Sequence, residues 1–322
     1  MEVVIWLNKS TKSINYLLIG MFLPHILLFP FLYIAAARSE KFAAALFLCL
    51  KIDTLFDFIK KLCYNIYRKI KKGLVNMGHY VCTDLHGQYE LWSQIKAYLK
   101  PDDVLYFLGD AIDRGKAGFK IMQEILARPN TTYIRGNHED MMYNMLEENL
   151  KTNWNIRFSE SATELWFYNG ANPTWESIEN SSQEDFIKIM KQIEDMPILI
   201  KVTLNNRDLY LCHSGSNMST IQTFINKETP EAMMKYHRNL LIWDRKHINN
   251  KRWGGEDNEY IIHGHTPVNY MFDAHNKGEH IEKYCQNHKI CLDLGAHIWG
   301  RACLFNLETL EVEKYFSEKE VA

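Results

Sequence analysis

The stretch YVCTDLHGQYELW, residues 80–92, sets the interpretation of the rest of the chain. Its apolar beginning predicts a buried strand, and Asp84 and His86 follow two positions apart just before Gly87. A glycine at that point lets the backbone turn tightly, and the next residues have the apolar spacing of a helix. The stretch therefore predicts a strand, a loop and a helix, with a carboxylate and an imidazole at the end of the strand.

The same order of strand, loop and helix recurs along the chain. DVLYFLG and TTYIRG are predicted strands, and FKIMQEILA and EDMMYNMLEENL are the helices that follow them. The later half is richer in predicted strands, which are PILIKVTL, DLYLCH, YIIHGH, KICLDL, RACLFNL and LEVEKYF. We therefore predict an α/β fold, a mixed β-sandwich flanked by helices.

Length, charge and cysteine content limit the classes of protein. The chain has 322 residues, with 37 Lys and Arg against 39 Asp and Glu and a formal net charge of -2. That balance gives no global electrostatic reason to expect a nucleic-acid partner, so any phosphate recognition must be local. The 7 cysteines lack paired spacing, which favours buried thiols in a reducing compartment over a disulfide framework or a zinc cluster.

The first 76 residues differ in character from the rest. Residues 16–37 are apolar over a length close to the roughly 20 residues that cross a bilayer, although Pro24 and Pro30 interrupt them. Residues 42–73 then show helical spacing of apolar positions and end in a run of lysines and arginines. We therefore predict an appended hydrophobic and basic helical segment, with membrane association at the cytoplasmic face through residues 16–72.

Other interpretations of this segment stay open. The helix could present an ordinary solvated face, or the stretch could be a secretory signal with a cleavage site at Ala35-x-Ala37, which the basic residues downstream disfavour. Met77 could also be the true start, because the first predicted strand follows at once. In either case we divide the chain into residues 1–76 and a compact domain over residues 77–322.

Oxygen and imidazole donors follow five of the predicted strands. They are Asp84 and His86, Asp110 and Asp113, Asn137 and His138, His213, and His265. Because the carboxyl ends of strands in an α/β sheet converge on one crevice, we expect these side chains to meet. Such a set suits two divalent ions of the Mn, Fe or Zn kind that share one carboxylate.

Each of these residues also has a plain structural explanation. Asp84 could cap the following helix, and Asp113 or Asn137 could organise a turn. A single histidine in such a place is more often a hydrogen-bonded core residue than a ligand. The occurrence of the whole set at strand ends nevertheless favours one site.

The motifs at these strand ends resemble those of the calcineurin-like metallophosphoesterases. They are Asp84-x-His86-Gly, Gly109-Asp110-x-x-Asp113-Arg114-Gly, Arg135-Gly-Asn137-His138-Glu, His213-x-Gly and Gly264-His265-Thr-Pro. Further pieces are similar to the bacterial and bacteriophage-lambda-type serine/threonine protein phosphatases of the PPP type: YNGA at 168–171, LLIWDRKHI at 240–248, IIHGHTP at 261–267, LDLGA at 292–296 and LFNLETLEV at 304–312. The resemblance covers residues 78 to about 316 and implies a metallophosphoesterase-type sandwich.

The resemblance implies a site for two divalent metal ions, with Mn²⁺ preferred and Fe or Zn as alternatives. By position, Asp84, His86 and Asp110 would hold the first ion. Asp110, Asn137, His213 and His265 would hold the second, with Asp110 bridging the two. Two such ions can lower the pKa of a shared solvent molecule, so the resemblance implies direct attack by a metal-bound hydroxide without a protein nucleophile.

Catalytic and phosphate-binding residues are implied in the same way. His138 would be the general acid that protonates the leaving oxygen, with Asp113 accepting its other N–H. Arg114, Arg135 and Arg245 would bind the phosphoryl oxygens, because a planar guanidinium can meet two of them at once. For each arginine, a surface ion pair is the plain alternative.

The resemblance also implies a substrate, a phosphoprotein or phosphopeptide, and a cytoplasmic location without a nucleic-acid partner. The intact DRG motif at 113–115 and RGNHE motif at 135–139 favour this branch over the related diadenosine-tetraphosphate hydrolases. A nucleotide or diadenosine-polyphosphate phosphohydrolase is the alternative, and a non-catalytic scaffold is disfavoured because no ligand or acid is missing. Residues 151–196 carry no phosphate or metal motif, and we predict that they form a helical cap beside the site.

Overall fold

The structure, a computed structural model, describes residues 77–151, 160–226 and 231–318. The predicted hydrophobic and basic segment, residues 1–76, lies outside the described residues, and so does the membrane association through residues 16–72. The anchor, the misplaced start and the division of the chain at residue 77 therefore stay predictions. Within the described ranges, no helix combines the length and apolar character needed to cross a bilayer.

The described ranges form strands and helices in alternation. The strands are β1 His79–Cys82, β2 Val104–Phe107, β3 Thr131–Tyr133, β4 Leu199–Leu204, β5 Arg207–Cys212, β6 Glu259–His263, β7 Glu282–Tyr284, β8 Lys289–Cys291, β9 Arg301–Asn306 and β10 Glu311–Ser317. The α-helices are α1 Tyr89–Tyr98, α2 Gly118–Ala127, α3 Asn137–Lys151, α4 Glu160–Tyr168, α5 Asn172–Glu179, α6 Gln183–Glu194, α7 Met218–Asn226, α8 Glu231–Trp243 and α9 Ala296–Trp299. Short 3₁₀ helices lie at Lys246–Asn249 and Val268–Tyr270.

The strands make two mixed sheets. The first has the order β10-β9-β1-β2-β3, in which β1, β2 and β3 are parallel and β9 is antiparallel to both of its neighbours. The second has the order β4-β5-β6-β8-β7, in which β5, β6 and β8 are parallel and the edge strands are antiparallel. Each sheet therefore brings the carboxyl ends of three parallel strands to one edge.

Side-chain alternation in β1 shows how the layers are stacked. Val81 packs in a buried cluster with Leu211 and Ile262 of the second sheet, so this face of β1 lies between the sheets. Tyr80 and Cys82 point the other way and pack with residues of helices α1 to α6. The outer face of the second sheet packs on α7 and α8. The predicted mixed β-sandwich flanked by helices is therefore confirmed.

Helices α4 to α6 occupy most of the region predicted as a cap. Trp166, Ile178 and Phe186 are buried in the same cluster as Trp92 of α1, so these helices belong to the outer helical layer of the first sheet. Ser182 caps the start of α6, because its hydroxyl accepts the backbone N–H of Asp185 at 3.1 Å. This packing gives α4 and α5 fixed positions from which side chains can reach the strand ends.

A buried polar cluster joins the loop after α8 to strands β6 and β7. The Tyr284 hydroxyl lies 2.8 Å from His263 Nε2 and 3.2 Å from His247 Nδ1. His247 is 1% exposed, and its Nε2 lies 2.7 Å from the carbonyl oxygen of Ser214. Burial and the nearby Lys289 ammonium lower the pKa of His247 to about 4. The folded chain therefore favours the neutral imidazole at this position.

We expect His247 to make the folded chain sensitive to mild acid. Between pH 6.5 and the folded pKa of about 4, the unfolded state binds a proton that the folded state does not bind. Stability should therefore fall as the pH falls through this window, by about 3 kcal/mol for this residue. Urea unfolding near neutral pH and near the folded pKa of His247 measures the drop in unfolding free energy between the two conditions. This drop should be smaller in His247→Gln than in the wild type. An equal loss in wild type and variant would contradict this, and exposed His275→Gln is the control.

Candidate metal centre

The loops after β1, β2 and β6 hold predicted metal ligands in a strained backbone conformation. Asp84, His86, Asp110 and His265 have φ angles of 51°, 42°, 61° and 69°. Non-glycine residues rarely adopt this left-handed region, and each one costs on the order of 1 kcal/mol or more. Hydrogen bonds between loops maintain the conformation: the Asp84 N–H donates to the Gly109 carbonyl and the His86 N–H to the Asp110 carbonyl, both at 3.0 Å.

Asp110 is the residue on which the predicted ligands converge. It is 2% exposed, and its Oδ2 lies 3.7 Å from His86 Nε2 and 3.4 Å from His213 Nε2. Asp110, His213 and His265 form one group whose ligand atoms lie within 4.8 Å of one another, and His86, Asp110 and His138 form another. Asp110 is common to both groups, which is the position that a bridging carboxylate requires.

Asn137 lies against the group that contains His213 and His265. Its Oδ1 lies 2.9 Å from His213 Nε2 and 2.8 Å from His265 Nδ1. His213 Nδ1 lies 2.6 Å from the Leu108 carbonyl oxygen, and the tautomer that donates there leaves a lone pair on Nε2. An amide oxygen and an imidazole lone pair repel each other unless a proton or a metal ion lies between them. The donor set therefore fits a divalent ion, because such an ion satisfies both acceptors.

His86 has the same arrangement on the other side of Asp110. Its Nδ1 lies 3.0 Å from the Ile112 carbonyl oxygen, while its Nε2 faces the site and lies 2.9 Å from Arg114 Nη1. Metal-binding histidines usually donate their second N–H to a carbonyl or carboxylate, which fixes the tautomer and the direction of the ring. Burial and the Arg114 guanidinium hold the pKa of His86 well below its usual range.

Burial changes the protonation of several groups at the site. Burial and the neighbouring Asp293 raise the pKa of Asp84 well above its usual range, and burial raises that of Asp293 to about 6. Burial alone would lower the pKa of His213, but the carboxylate of Asp110 raises it to about 9. A proton on His213 thus supplies positive charge that a metal ion would otherwise supply.

Glu139 fixes the loops behind Asp110. Its Oε2 accepts the backbone N–H groups of Asp110 at 2.8 Å and Gly136 at 3.1 Å. Its Oε1 accepts the N–H of Ala111 at 3.1 Å and the hydroxyl of Tyr133 at 2.8 Å. Gly136 is required here, because a Cβ on it would collide with the Asp110 side chain. Glu139 therefore sets the position of the loop that carries Asp110.

We expect Glu139→Gln to destabilise the fold and weaken metal binding, although Glu139 is not a predicted ligand. The amide nitrogen would replace an oxygen that accepts two hydrogen bonds, leaving buried donors unpaired and costing about 2–4 kcal/mol of unfolding free energy. Denaturant unfolding and Mn²⁺ binding by equilibrium dialysis would measure the two effects. Glu259→Gln is the matched control, because Glu259 also accepts a tyrosine hydroxyl and a backbone N–H, at the opposite end of β6. A loss no larger than that of the control would contradict this expectation.

His138 lies beside the predicted ligands with its ring fixed at both nitrogens. Its Nδ1 lies 2.6 Å from Asp113 Oδ2, and its Nε2 lies 3.0 Å from Arg114 Nη2. Asp113 Oδ2 also accepts the indole N–H of Trp166 at 2.8 Å, and the Asp113 N–H donates to Thr174 Oγ1 at 2.9 Å. The pairing with Asp113 leaves Nε2 as the ring atom that is directed at the site.

Two of the predicted phosphate-binding arginines line one open cavity. This cavity has a volume of about 490 Å³, and its wall includes Arg114, Arg245, His265 and His297. Arg245 is held by a bond of 3.4 Å from its Nη2 to the His265 carbonyl oxygen. A phosphoryl group in this cavity would meet two guanidinium groups next to the predicted ligands.

Arg135 is placed differently from the other two arginines. Its Nε lies 3.0 Å from Asp140 Oδ1, and its guanidinium lies over the ring of Tyr143 at 4.3 Å. Arg238 pairs with the same Asp140 oxygen at 2.9 Å. The structure therefore places Arg135 in a buried ion pair and not in the wall of the cavity.

Some residues that contact the site carry no motif of their own in the sequence. Trp166 and Thr174 hold Asp113, and the ring nitrogens of His297 lie 3.1 and 3.2 Å from Arg114 Nη1. Trp166 and Thr174 flank the YNGA piece, and His297 directly follows LDLGA. Those two pieces are the signals in the sequence that point to these residues.

Residues 79–300 match the calcineurin-like phosphoesterase family. The match covers more than half of the chain and includes every residue predicted to bind metal or phosphate. The chain therefore belongs to this family, as the motifs predict. It is a metallophosphoesterase, a hydrolase of phosphoric ester bonds with a site for two divalent metal ions.

Two bacterial relatives and one solved structure illustrate the similarity. Serine/threonine-protein phosphatase 2 of Escherichia coli (strain K12) is 25% identical over 246 residues, which are 73% of this chain and 96% of the relative. Serine/threonine-protein phosphatase 1 of Salmonella typhimurium is 26% identical over 217 residues, which are 66% of this chain and 88% of the relative. The crystal structure of a candidate diadenosine tetraphosphatase is 12% identical with a TM-score of 0.47, covering 76% of this chain and 96% of that chain.

Proposed function

We propose that this metallophosphoesterase is a serine/threonine protein phosphatase. The observation that carries the proposal is the convergence of imidazole and amide donors on the buried Asp110 carboxylate, beside a cavity lined by two arginines. The named activities of the two bacterial relatives support a phosphoprotein as the substrate. The proposal includes a cytoplasmic location, with residues 16–72 as the segment that would contact a membrane.

The metal ligands in this proposal are those implied by position. Asp84, His86 and Asp110 would hold one ion, and Asp110, Asn137, His213 and His265 would hold the other. Mn²⁺ is the proposed ion, with Fe and Zn as alternatives, because imidazole mixed with carboxylate and amide oxygen suits all three metals. Bound there, the two ions would supply Lewis acidity to the attacking water and to the phosphoryl oxygens.

His138 is the proposed general acid. Its Nδ1–H donates to Asp113, so the proton given to the leaving oxygen of the phosphoserine would be carried by Nε2. Asp113 holds the ring in place, since its buried carboxylate lies 2.6 Å from Nδ1. Nε2 lies 3.0 Å from Arg114 Nη2, which can only donate, so Arg114 would have to release Nε2, for example by turning to the phosphoryl oxygens, before Nε2 carries a proton.

Arg114, Arg245 and Arg135 are the proposed phosphate-binding residues. Arg114 and Arg245 already line the cavity. The Arg114 guanidinium bonds Nε2 of His86 and His138, and a metal ion on His86 would release it to meet phosphoryl oxygens. Arg135 would have to leave Asp140 to reach the same group, and Asp140 would keep Arg238 as a partner if it did. The proposal therefore assigns the larger share of phosphate binding to Arg114 and Arg245.

We expect the full chain to release phosphate from a phosphoserine peptide, to lose this activity on chelation and to regain it with Mn²⁺. Asp110→Asn should bind less Mn²⁺ and lose about 100-fold or more in rate, because both proposed ions would lose a shared ligand. Asp208→Asn is the matched control, since Asp208 pairs with Lys201 on the surface of the β4–β5 hairpin. Activity on diadenosine tetraphosphate alone would favour the alternative substrate class. A metal-loaded chain that is inactive on both substrates would contradict the proposal that this chain is an active enzyme.

Replacing the arginines one at a time should separate the two that line the cavity from Arg135. Arg114→Ala and Arg245→Ala should each raise the KM for the phosphopeptide by about tenfold, because each removes a charge-assisted hydrogen bond to phosphate. Arg135→Ala should raise KM less than either of these two variants does. It should instead lower the free energy of unfolding, because it removes one of the cations that pair with the buried Asp140 carboxylate. Arg207→Ala, whose side chain bonds the carbonyl of Glu308, is the control. A larger KM effect for Arg135 than for Arg114 would reverse this assignment.

A further inference from the structure

We propose that Trp166, assisted by Thr174, is a positioning residue for the reaction. It acts by fixing the Asp113 carboxylate that holds His138. This inference rests on the proposed function, in which His138 supplies the proton to the leaving oxygen. It gives helices α4 and α5 a part in catalysis beyond packing on the first sheet.

The indole of Trp166 shares one oxygen of Asp113 with His138. Trp166 is 0% exposed, and its Nε1–H donates to Asp113 Oδ2 at 2.8 Å. The same oxygen accepts the His138 Nδ1–H at 2.6 Å. The other oxygen, Oδ1, is buried and has no hydrogen-bond partner among the described residues. Oδ2 therefore accepts both hydrogen bonds of the Asp113 carboxylate. Together these two bonds fix the rotation of the carboxylate.

Contacts from the turn between α4 and α5 and from the first turn of α5 hold the backbone of the same segment. The Asp113 N–H donates to Thr174 Oγ1 at 2.9 Å, and the Arg114 N–H donates to the Gly170 carbonyl at 2.8 Å. Asp113 and Arg114 have φ angles of 68° and 65°, so this segment is strained and needs such support. Trp166 and Thr174 thus restrain the side chain and the backbone of Asp113 from one direction.

Loss of the indole N–H would free the Asp113 carboxylate to rotate. The His138 Nδ1–H would then be the one remaining donor to Oδ2. After rotation of the carboxylate, Oδ1 could accept this N–H in place of Oδ2. His138 Nε2 would lose its fixed direction, while Arg114 and Arg245 would still line the cavity. Because proton transfer depends strongly on alignment, the proposal requires a fall in kcat with little change in KM.

Two substrates separate a positioning effect from a general structural one. The serine side chain leaves as an alkoxide, a strong base that needs a proton as it leaves. The weakly basic p-nitrophenolate leaves without one. Trp166→Phe in the full chain should therefore lower kcat for a phosphoserine peptide about tenfold and leave kcat for p-nitrophenyl phosphate nearly unchanged. Thr174→Val should show the same selectivity, which keeps the test decisive if Trp166→Phe does not fold.

Trp92→Phe is the matched control variant. Trp92 is also fully buried, and its indole N–H also donates to a carboxylate, Glu124 Oε2 at 2.9 Å, but on α1 away from the metal centre. It should lower the melting temperature without changing the ratio of the two kcat values. An equal change of that ratio in Trp92→Phe and Trp166→Phe would overturn the proposal.

A double-mutant cycle with His138→Asn shows whether Trp166 acts through His138. Trp166→Phe should have no further effect on phosphoserine hydrolysis in the His138→Asn background, and a full tenfold effect there would overturn the inference. If His138→Asn slows the enzyme but Trp166→Phe does not, the inference alone fails. If the wild type releases no phosphate, or His138→Asn leaves the rate intact, the proposed function fails and this inference with it.

Discussion

The burial of the Asp110 carboxylate among histidines from both sheets is the interaction on which the site depends. Its Oδ2 lies within 3.8 Å of Nε2 of His86, His138 and His213. His86 follows β1 and His138 lies in the first turn of α3, while His213 follows β5 of the second sheet. A charge this deeply buried must be compensated, so Asp110 requires the two sheets to meet at this edge.

The buried charges and the strained loops of the site destabilise the folded chain, so the site depends on the apolar core around it. Asp84, Asp110 and Glu139 place three carboxyl groups in the same buried region, and several loop residues there have left-handed backbone angles. Burial and the nearby Asp110 raise the pKa of Glu139. The apolar cluster between the sheets offsets these costs, because it joins strands of both sheets below the loops.

The sequence predicts features that depend on local pattern better than those that depend on packing. Alternating strands and helices suffice to predict the sandwich. The polar strand ends predict that Asp110, His213 and His265 lie together, whereas their binding of metal stays a prediction. Strand order is not local, since β9 and β10 pair beside β1. The direction of the Arg135 side chain is set by its ion pair with Asp140, and the RGNHE motif does not specify that pair. Trp166 and Asp113 are 53 positions apart, so their contact depends on how α4 packs.

The hydrogen bond between the His265 N–H and the Asp84 carboxylate joins two loops of the site that are far apart in the chain. The two residues are 181 positions apart, so this contact cannot form before residue 265 has been synthesised. Contacts between such distant residues carry a large loop-closure cost and tend to make folding slow. During synthesis, a chain that has not yet emerged to residue 265 holds an incomplete set of ligands. The ability to hydrolyse phosphoesters would then arise only after residue 265 has emerged, well after the parallel strands of the first sheet.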